Sequence, residues 1–178
     1  MNLEKYQQYS RIARGLEKAD LVLKDARIVN VFTEEIIRGD IAIQDGIIAG
    51  IGSFHGKEER DLAGRYVCPG FIDSHLHLES TLVTPAELVT AASRHGTTTF
   101  IVDPHESANV SGLAGIDYIL DQTEDVKANV YVMMPSCVPA TAIDDNGCTL
   151  TAEDMVPYLH NSRILGQHFC GTGREKHA

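Results

Sequence analysis

The sequence has few basic residues and no long hydrophobic run. It carries 15 Lys and Arg against 25 Asp and Glu among its 178 residues, which gives a formal net charge of −10. Binding to nucleic acid or to an anionic membrane surface needs clustered basic side chains, so this balance argues against both partners. No apolar run reaches the roughly 18–20 residues of a membrane-spanning helix. Residues 1–18 also lack the apolar core that a signal peptide needs.

The sequence also lacks a cysteine framework. Its four cysteines, Cys68, Cys137, Cys148 and Cys170, form neither a C-x-x-C pair nor a regular disulfide pattern. This spacing predicts reduced thiols and a cytoplasmic protein. The hydrophobic content of 43% is enough for a folded core. The length allows one domain, or a small domain together with part of another.

The N-terminal part predicts a helical segment and then a small β-domain. Residues 1–19 are polar with a weakly periodic set of apolar positions, whereas residues 20–68 contain short β-branched runs separated by turn residues. Asp45-Gly46 lies between two such runs and indicates a hairpin, because a type I′ turn needs a positive φ at both central residues. We therefore expect a surface helix in residues 1–19 and an antiparallel β-domain over residues 20–68.

Strands and helices alternate over residues 69–166, which indicates an α/β domain. Short strands are predicted at 71–73, 97–102, 129–134 and from 163, and helices at 84–96, near 110–121 and from 151. Thr84-Pro85-Ala86-Glu87 has the pattern of an N-cap, a first-turn proline and a capping-box acid. The alternation predicts parallel strands with crossover helices. These would be the first three to four βα units of a TIM-like barrel, which needs about 250 residues, or part of a doubly wound open sheet.

Chemically active side chains follow three of the predicted strands. In both architectures, the active site is built at the C-terminal ends of the parallel strands. Residues two apart in a strand point to the same face, so His75 and His77 can direct two imidazoles at one divalent metal ion. The residues concerned are Asp73, His75 and His77 after the first strand, Asp103, His105 and Glu106 after the second, and Ser136 and Cys137 after the third.

The string Pro-Gly-Phe-Ile-Asp-Ser-His-Leu-His at residues 69–77 resembles the first-strand motif of the amidohydrolase superfamily, the metal-dependent hydrolases on a β/α barrel. Residues 20–68 resemble the small β-domain that precedes the barrel in many members. Within the superfamily, the chain is similar to the adenine deaminases over residues 15–166. The most specific segments are Asp-Pro-His-Glu at 103–106 and Pro-Ser-Cys-Val-Pro-Ala-Thr at 135–141.

The resemblance implies metal-dependent hydrolytic deamination of adenine to hypoxanthine and ammonia. His75 and His77 would bind the divalent metal, which is manganese by resemblance, with iron or zinc as alternatives. The metal would activate a water molecule for attack on the amino-bearing carbon. A purine base, adenine, is then the expected small-molecule partner.

The roles of the remaining candidates stay open. The residues after the second strand could bind the metal, relay a proton or hold the purine edge; they are Asp103, His105 and Glu106. Alternatively, they could form only a hydrogen-bonded turn with Asp103 and Asn109 as caps. Glu79 lies two residues after His77. It either shares the face of His77 or is a solvated loop acid. Glu79 is therefore grouped with Ser136 and Cys137 as a candidate for the substrate pocket. No base is tied to Cys137 by spacing, which argues against a nucleophilic thiol.

The resemblance stops at Gly166. At this point, family members carry a glycine-glutamate segment whose carboxylate is a metal ligand, and their later strands add histidines and an aspartate. Residues 167–178 match neither pattern and read as an atypical tail. We therefore expect a truncated barrel, little deaminase activity from the isolated chain, and a homo-oligomer, because an incomplete sheet exposes an unpaired edge. The alternatives are a dihydroorotase-like or dihydropyrimidinase-like amidohydrolase, and an inactive fragment or binding module.

Overall fold

The computed structural model describes residues 2–141 and 143–167 of the chain. The chain divides into two compact units, Met1–Pro69 and Gly70–Ala178, and each contains its own buried apolar clusters. Of the predicted tail at 167–178, all but Gln167 lies outside the described residues. Within the described ranges, no helix is long and apolar enough to cross a bilayer.

The first unit consists of a helix and a five-stranded mixed sheet. The helix α1 (Leu3–Ala13) begins at Asn2, whose side chain accepts a hydrogen bond from the Lys5 N–H. The strands run in the spatial order β3-β2-β1-β4, and β5 pairs with β1. They are β1 (Ala19–Asn30), β2 (Glu35–Gln44), β3 (Ile47–Gly52), β4 (Gly56–Asp61) and β5 (Tyr66–Val67).

The pairing within this sheet differs from the antiparallel prediction. The hairpin is confirmed: Asp45 and Gly46 join β2 to β3 with φ values of 51° and 76°. The prediction that the whole unit is antiparallel was wrong, because β1 pairs in parallel with β4 and β5. Residues 53–55 carry the chain from β3 to β4 without reversing its direction, and no turn pattern in the sequence indicates this.

A buried carboxylate connects the strands of the first unit. Asp40 of β2 is 8% exposed and accepts hydrogen bonds from the Lys24 ammonium and from the N–H groups of Asp25 and Phe54. The Lys24 ammonium also donates to the Phe54 carbonyl at 2.9 Å. Burial alone would raise the pKa of Asp40, but these hydrogen bonds outweigh it and hold the pKa below its usual value. The ionised side chain therefore joins β1, β2 and the 53–55 segment.

The second unit is a four-stranded parallel sheet in which every neighbour is the next strand along the chain. This is the order of successive βα units, without the reversal of strand order that defines a doubly wound sheet. The strands are β6 (Phe71–Leu76), β7 (Thr97–Val102), β8 (Asn129–Met134) and β9 (Ile164–Gln167). The helices are α2 (Pro85–Ser93), α3 (His105–Ser111), α4 (Leu113–Gln122) and α5 (Ala152–Met155), with 3₁₀ turns at Glu79–Thr81 and Val156–His160.

The helix predicted near residues 110–121 corresponds to α4, and the unpredicted short helix α3 precedes it, with Gly112 between the two. Gly112 has φ 63° and ψ −138°, a conformation that residues with a Cβ rarely adopt. A Cβ at this position would also lie 2.5 Å from the Cys148 sulfur. The chain therefore changes direction after one short helix, and the first turn of α3 is free to lie at the end of β7.

The predicted capping box of α2 is also wrong. Thr84 is the N-cap of α2 and Pro85 lies in its first turn, but the Thr84 side chain makes no capping hydrogen bond. The capping box is instead found at α5, where the Thr151 and Asp154 side chains each bond to the other's backbone N–H. The proline and the acidic first turn are enough to start α2 without the side-chain cap.

The helices pack on one face of the parallel sheet. Alternate residues of β7 and β8 are buried there, while the residues between them, such as Ile101 and Tyr131, are only partly covered. His75 and His77 alternate with Leu76, which packs against the buried cluster, and so lie on the less covered side. The buried strand residues are Phe100, Val102, Val130, Val132 and Met134.

We expect Asp40→Asn to destabilise the first unit by about 3 kcal/mol, because it removes the charged partner of a half-buried Lys24. Native-state hydrogen exchange of the β1 and β2 amides measures this difference. The contribution of Asp40 to the free energy of unfolding is complete above its usual pKa of 3.8 and is lost as the pH falls through its lowered pKa.

The control, Glu58→Gln, removes an exposed pair with Arg60 and should change the free energy of unfolding by less than about 0.5 kcal/mol. Equal protection of wild type and Asp40→Asn at pH 6 would contradict the prediction.

Candidate active site and metal centre

Two histidines at the end of β6 direct their rings at a common point. The Nε2 atoms of His75 and His77 are 3.1 Å apart, and the ring centroids are 5.0 Å apart. Two nitrogens bound to one tetrahedral zinc at about 2.0–2.1 Å lie about 3.3 Å from each other. The two imidazoles therefore have nearly the separation that a shared metal ion requires. The alternation of side chains along a strand places them on one face.

Asp103 lies next to the histidine pair. It follows β7 directly, it is 3% exposed, and its N–H donates to the Leu76 carbonyl at 2.9 Å. His75, His77 and Asp103 each offer a ligand atom within 4.8 Å of the other two. Two imidazoles and a carboxylate suit zinc, iron or manganese. Three protein ligands also leave a coordination position for water, as in hydrolytic metal sites.

Glu106 contacts His77 on the side opposite His75. It belongs to the first turn of α3, and its Oε2 lies 2.8 Å from Nδ1 of His77. Its other oxygen accepts a hydrogen bond from the Ser80 hydroxyl at 2.9 Å. Burial raises the pKa of Glu106, but hydrogen bonds from the backbone and from Ser80, together with the neighbouring imidazole, bring the pKa below its usual value.

Glu79 belongs to the same cluster and is half-buried. Its Oε1 accepts the N–H of Ser107 at 3.1 Å. Ligand atoms of Glu79, His77 and Glu106 lie within 4.8 Å of one another. Burial raises the pKa of Glu79, and the neighbouring Glu106 carboxylate raises it further. Of the two interpretations of Glu79, the structure favours the one in which it shares the His77 site.

The remaining candidates lie outside these two groups of potential ligands. His105 is the first residue of α3 and lines a surface cavity with Glu106, Asn109 and Asp144. Ser136 and Cys137 follow β8, where the Ser136 hydroxyl lies 3.6 Å from the Cys137 sulfur. Asp103 does not cap α3, because Pro104 is the N-cap of that helix. Asp73 lies on β6, and its Oδ1 accepts the N–H of His75 at 3.3 Å.

One residue of the cluster, Ser80, was not predicted from the sequence. It lies three residues after His77, in the 3₁₀ turn Glu79–Thr81. A turn residue at this spacing can reach back toward a strand-end ligand, and this position was the only signal available. Its contact to Glu106 depends on the placement of α3, which the sequence pattern did not resolve.

Comparisons with known proteins identify the family. A family model described as the amidohydrolase family matches residues 66–169. Adenine deaminase from Desulfitobacterium hafniense is 57% identical over 166 residues, which cover 93% of this chain and 29% of that protein. Adenine deaminase from Clostridium acetobutylicum is 51% identical over 154 residues, which cover 86% of this chain and 27% of that protein. The chain therefore spans less than a third of the length of these relatives.

A solved structure shows the same fold. Atrazine chlorohydrolase from Arthrobacter aurescens, in complex with zinc, matches 83% of this chain and 46% of its own chain with a TM-score of 0.60. Its sequence is 14% identical, so this similarity concerns the fold alone. The family model, by contrast, matches more than half of the present sequence, and it confirms the family predicted from residues 69–77. The chain belongs to the amidohydrolase family.

Proposed function

We propose that the protein containing this chain catalyses the metal-dependent hydrolytic deamination of adenine to hypoxanthine and ammonia. The observation that carries the proposal is the convergence of His75, His77 and Asp103 at the C-terminal edge of a parallel sheet. The choice of substrate rests on the similarity to adenine deaminases, of which the chain spans about 29%. The chain would contribute the part of the active site that follows the first two strands of the sheet.

In this proposal, Nε2 of His75, Nε2 of His77 and the Asp103 carboxylate hold the metal. Manganese is the proposed ion, with iron or zinc as alternatives, because imidazole and carboxylate ligands accept all three. When bound, the metal would lower the pKa of a water molecule and so supply a nucleophile at neutral pH. The protein must also deliver a proton to the departing ammonia. Glu79 and Glu106 each have a carboxylate oxygen within 4.8 Å of a ring nitrogen of His77, and they are the candidates for this proton transfer.

We expect the 178-residue polypeptide to bind Zn²⁺ and Mn²⁺, and the double variant His75→Ala/His77→Ala to bind at least tenfold more weakly, because two of three ligands are removed. Competition with a chromophoric chelator measures both dissociation constants. His55→Ala is the matched control, since His55 is exposed and pairs with Glu59 in the first unit. Equal affinity of wild type and the double variant would exclude this metal site.

The activity is tested by placing residues 70–166 into the D. hafniense adenine deaminase in place of the matching segment. We expect this chimera to release hypoxanthine and ammonia from adenine, and His77→Ala in the chimera to reduce kcat/KM at least 100-fold through loss of a metal ligand. Cys137→Ser should leave kcat within about threefold, because the proposed mechanism needs no thiol nucleophile.

His160→Ala serves as the control for removal of a histidine within the grafted segment, because His160 is exposed and lies in the 3₁₀ turn Val156–His160. A folded, metal-loaded chimera that hydrolyses dihydroorotate or another cyclic amide instead of adenine would refute the proposed substrate. A kcat/KM that is unchanged by His77→Ala would refute the proposed ligand.

A further inference from the structure

We propose that Glu106, supported by Ser80, is a positioning residue that fixes the tautomer and ring orientation of His77 for metal binding. This inference rests on the proposed function, because it assumes that Nε2 of His77 is a metal-binding atom. It adds a role for a residue that makes no metal contact of its own in this arrangement.

The hydrogen bonds around the His77 ring determine which of its nitrogens carries the proton. An ionised carboxylate can only accept hydrogen bonds, so Nδ1 of His77 must be the donor in its 2.8 Å contact with Glu106. A neutral imidazole that carries its proton on Nδ1 has its lone pair on Nε2. Nε2 is the atom that faces His75 at 3.1 Å. Without a metal, the Nε2–H of His75 then donates to this lone pair.

The Glu106 carboxylate is itself held by a second hydrogen bond. Its Oε1 accepts from the Ser80 hydroxyl, so both carboxylate oxygens have a defined partner. A second hydrogen bond joins the same two segments, with the donor in the other segment. Ser107, which follows Glu106, donates its N–H to Glu79, which precedes Ser80. The 3₁₀ turn after His77 and the first turn of α3 are thus connected twice, and this aligns Glu106 with the imidazole.

The exposure of the two side chains distinguishes positioning of His77 from stabilisation of the fold. The Glu106 side chain is 51% exposed and that of His77 is 31% exposed. A contact with this exposure, even between full charges, contributes little to folding. A carboxylate that orients a ligating histidine, by contrast, typically changes metal affinity 10–100-fold. Loss of Glu106 should therefore weaken metal binding and leave the thermal unfolding midpoint nearly unchanged.

The tautomer is tested first in the metal-free wild-type polypeptide by long-range ¹H–¹⁵N correlation of the histidine rings, with His77→Ala used to assign the His77 signals. We expect a protonated Nδ1 and an unprotonated Nε2 on the neutral His77 ring. A neutral ring that carries its proton on Nε2 would overturn the inference, and this result requires no Glu106 variant.

The second test compares Zn²⁺ dissociation constants, measured by chelator competition, for Glu106→Ala, Glu106→Gln and Ser80→Ala. We expect Glu106→Ala to weaken binding about 10–100-fold. Glu106→Gln should recover part of this loss, because its amide oxygen can still accept from Nδ1–H. The Zn²⁺ dissociation constant of Ser80→Ala should lie between those of wild type and Glu106→Ala. Ser80→Ala also tests the inference if Glu106→Ala does not fold. Glu87→Ala, which changes an exposed first-turn acid of α2, is the control.

The outcomes distinguish this inference from the proposed function. If wild type and His75→Ala/His77→Ala bind Zn²⁺ equally, the metal site itself is wrong. If wild type binds through the two histidines, but folded Glu106→Ala and Ser80→Ala bind as tightly as wild type, only the positioning role is overturned. A weaker affinity of Glu106→Ala that Glu106→Gln partly restores, at an unchanged unfolding midpoint, supports it.

Discussion

The candidate site depends on the parallel pairing of β6 with β7. The two strands bring their C-terminal ends to one edge of the sheet, and the hydrogen bond from the Asp103 N–H to the Leu76 carbonyl fixes their register at that edge. Leu76 lies between the two histidines in the chain, so a shift of this register would move Asp103 away from both rings. The carboxylate and the imidazoles come from segments 26 or more residues apart in the sequence, and backbone pairing places them together.

Glu79 and Glu106 show how one small cluster gives two carboxyl groups different environments. Glu79 is the more buried, and burial raises its pKa. Glu106 is more exposed, receives the Ser80 hydroxyl and faces an imidazole, and its pKa is lowered. The different surroundings shift the two pKa values in opposite directions, so Glu106, which contacts His77, ionises before Glu79 as the pH rises.

Local patterns predicted the parts of the fold that depend on local physics. The side-chain alternation of a strand was enough to place His75 and His77 together, and the positive φ values of Asp45 and Gly46 follow directly from the turn type. The parallel pairing of β1 with β4 could not be predicted in this way, because it depends on the path of residues 53–55 across the sheet. The contact of Ser80 with Glu106 likewise requires the position of α3, which tertiary packing determines.

The break at Gly112 separates two tasks that a single continuous helix would have to combine. α4 carries much of the helical burial, through Ile116, Ile119 and Leu120, whereas Ala108 is the only buried residue of α3. The short helix that presents Glu106 to the site therefore contributes little to the apolar core. Substitutions on α3 can therefore alter the surroundings of His77 while α4 preserves the packing of the apolar core.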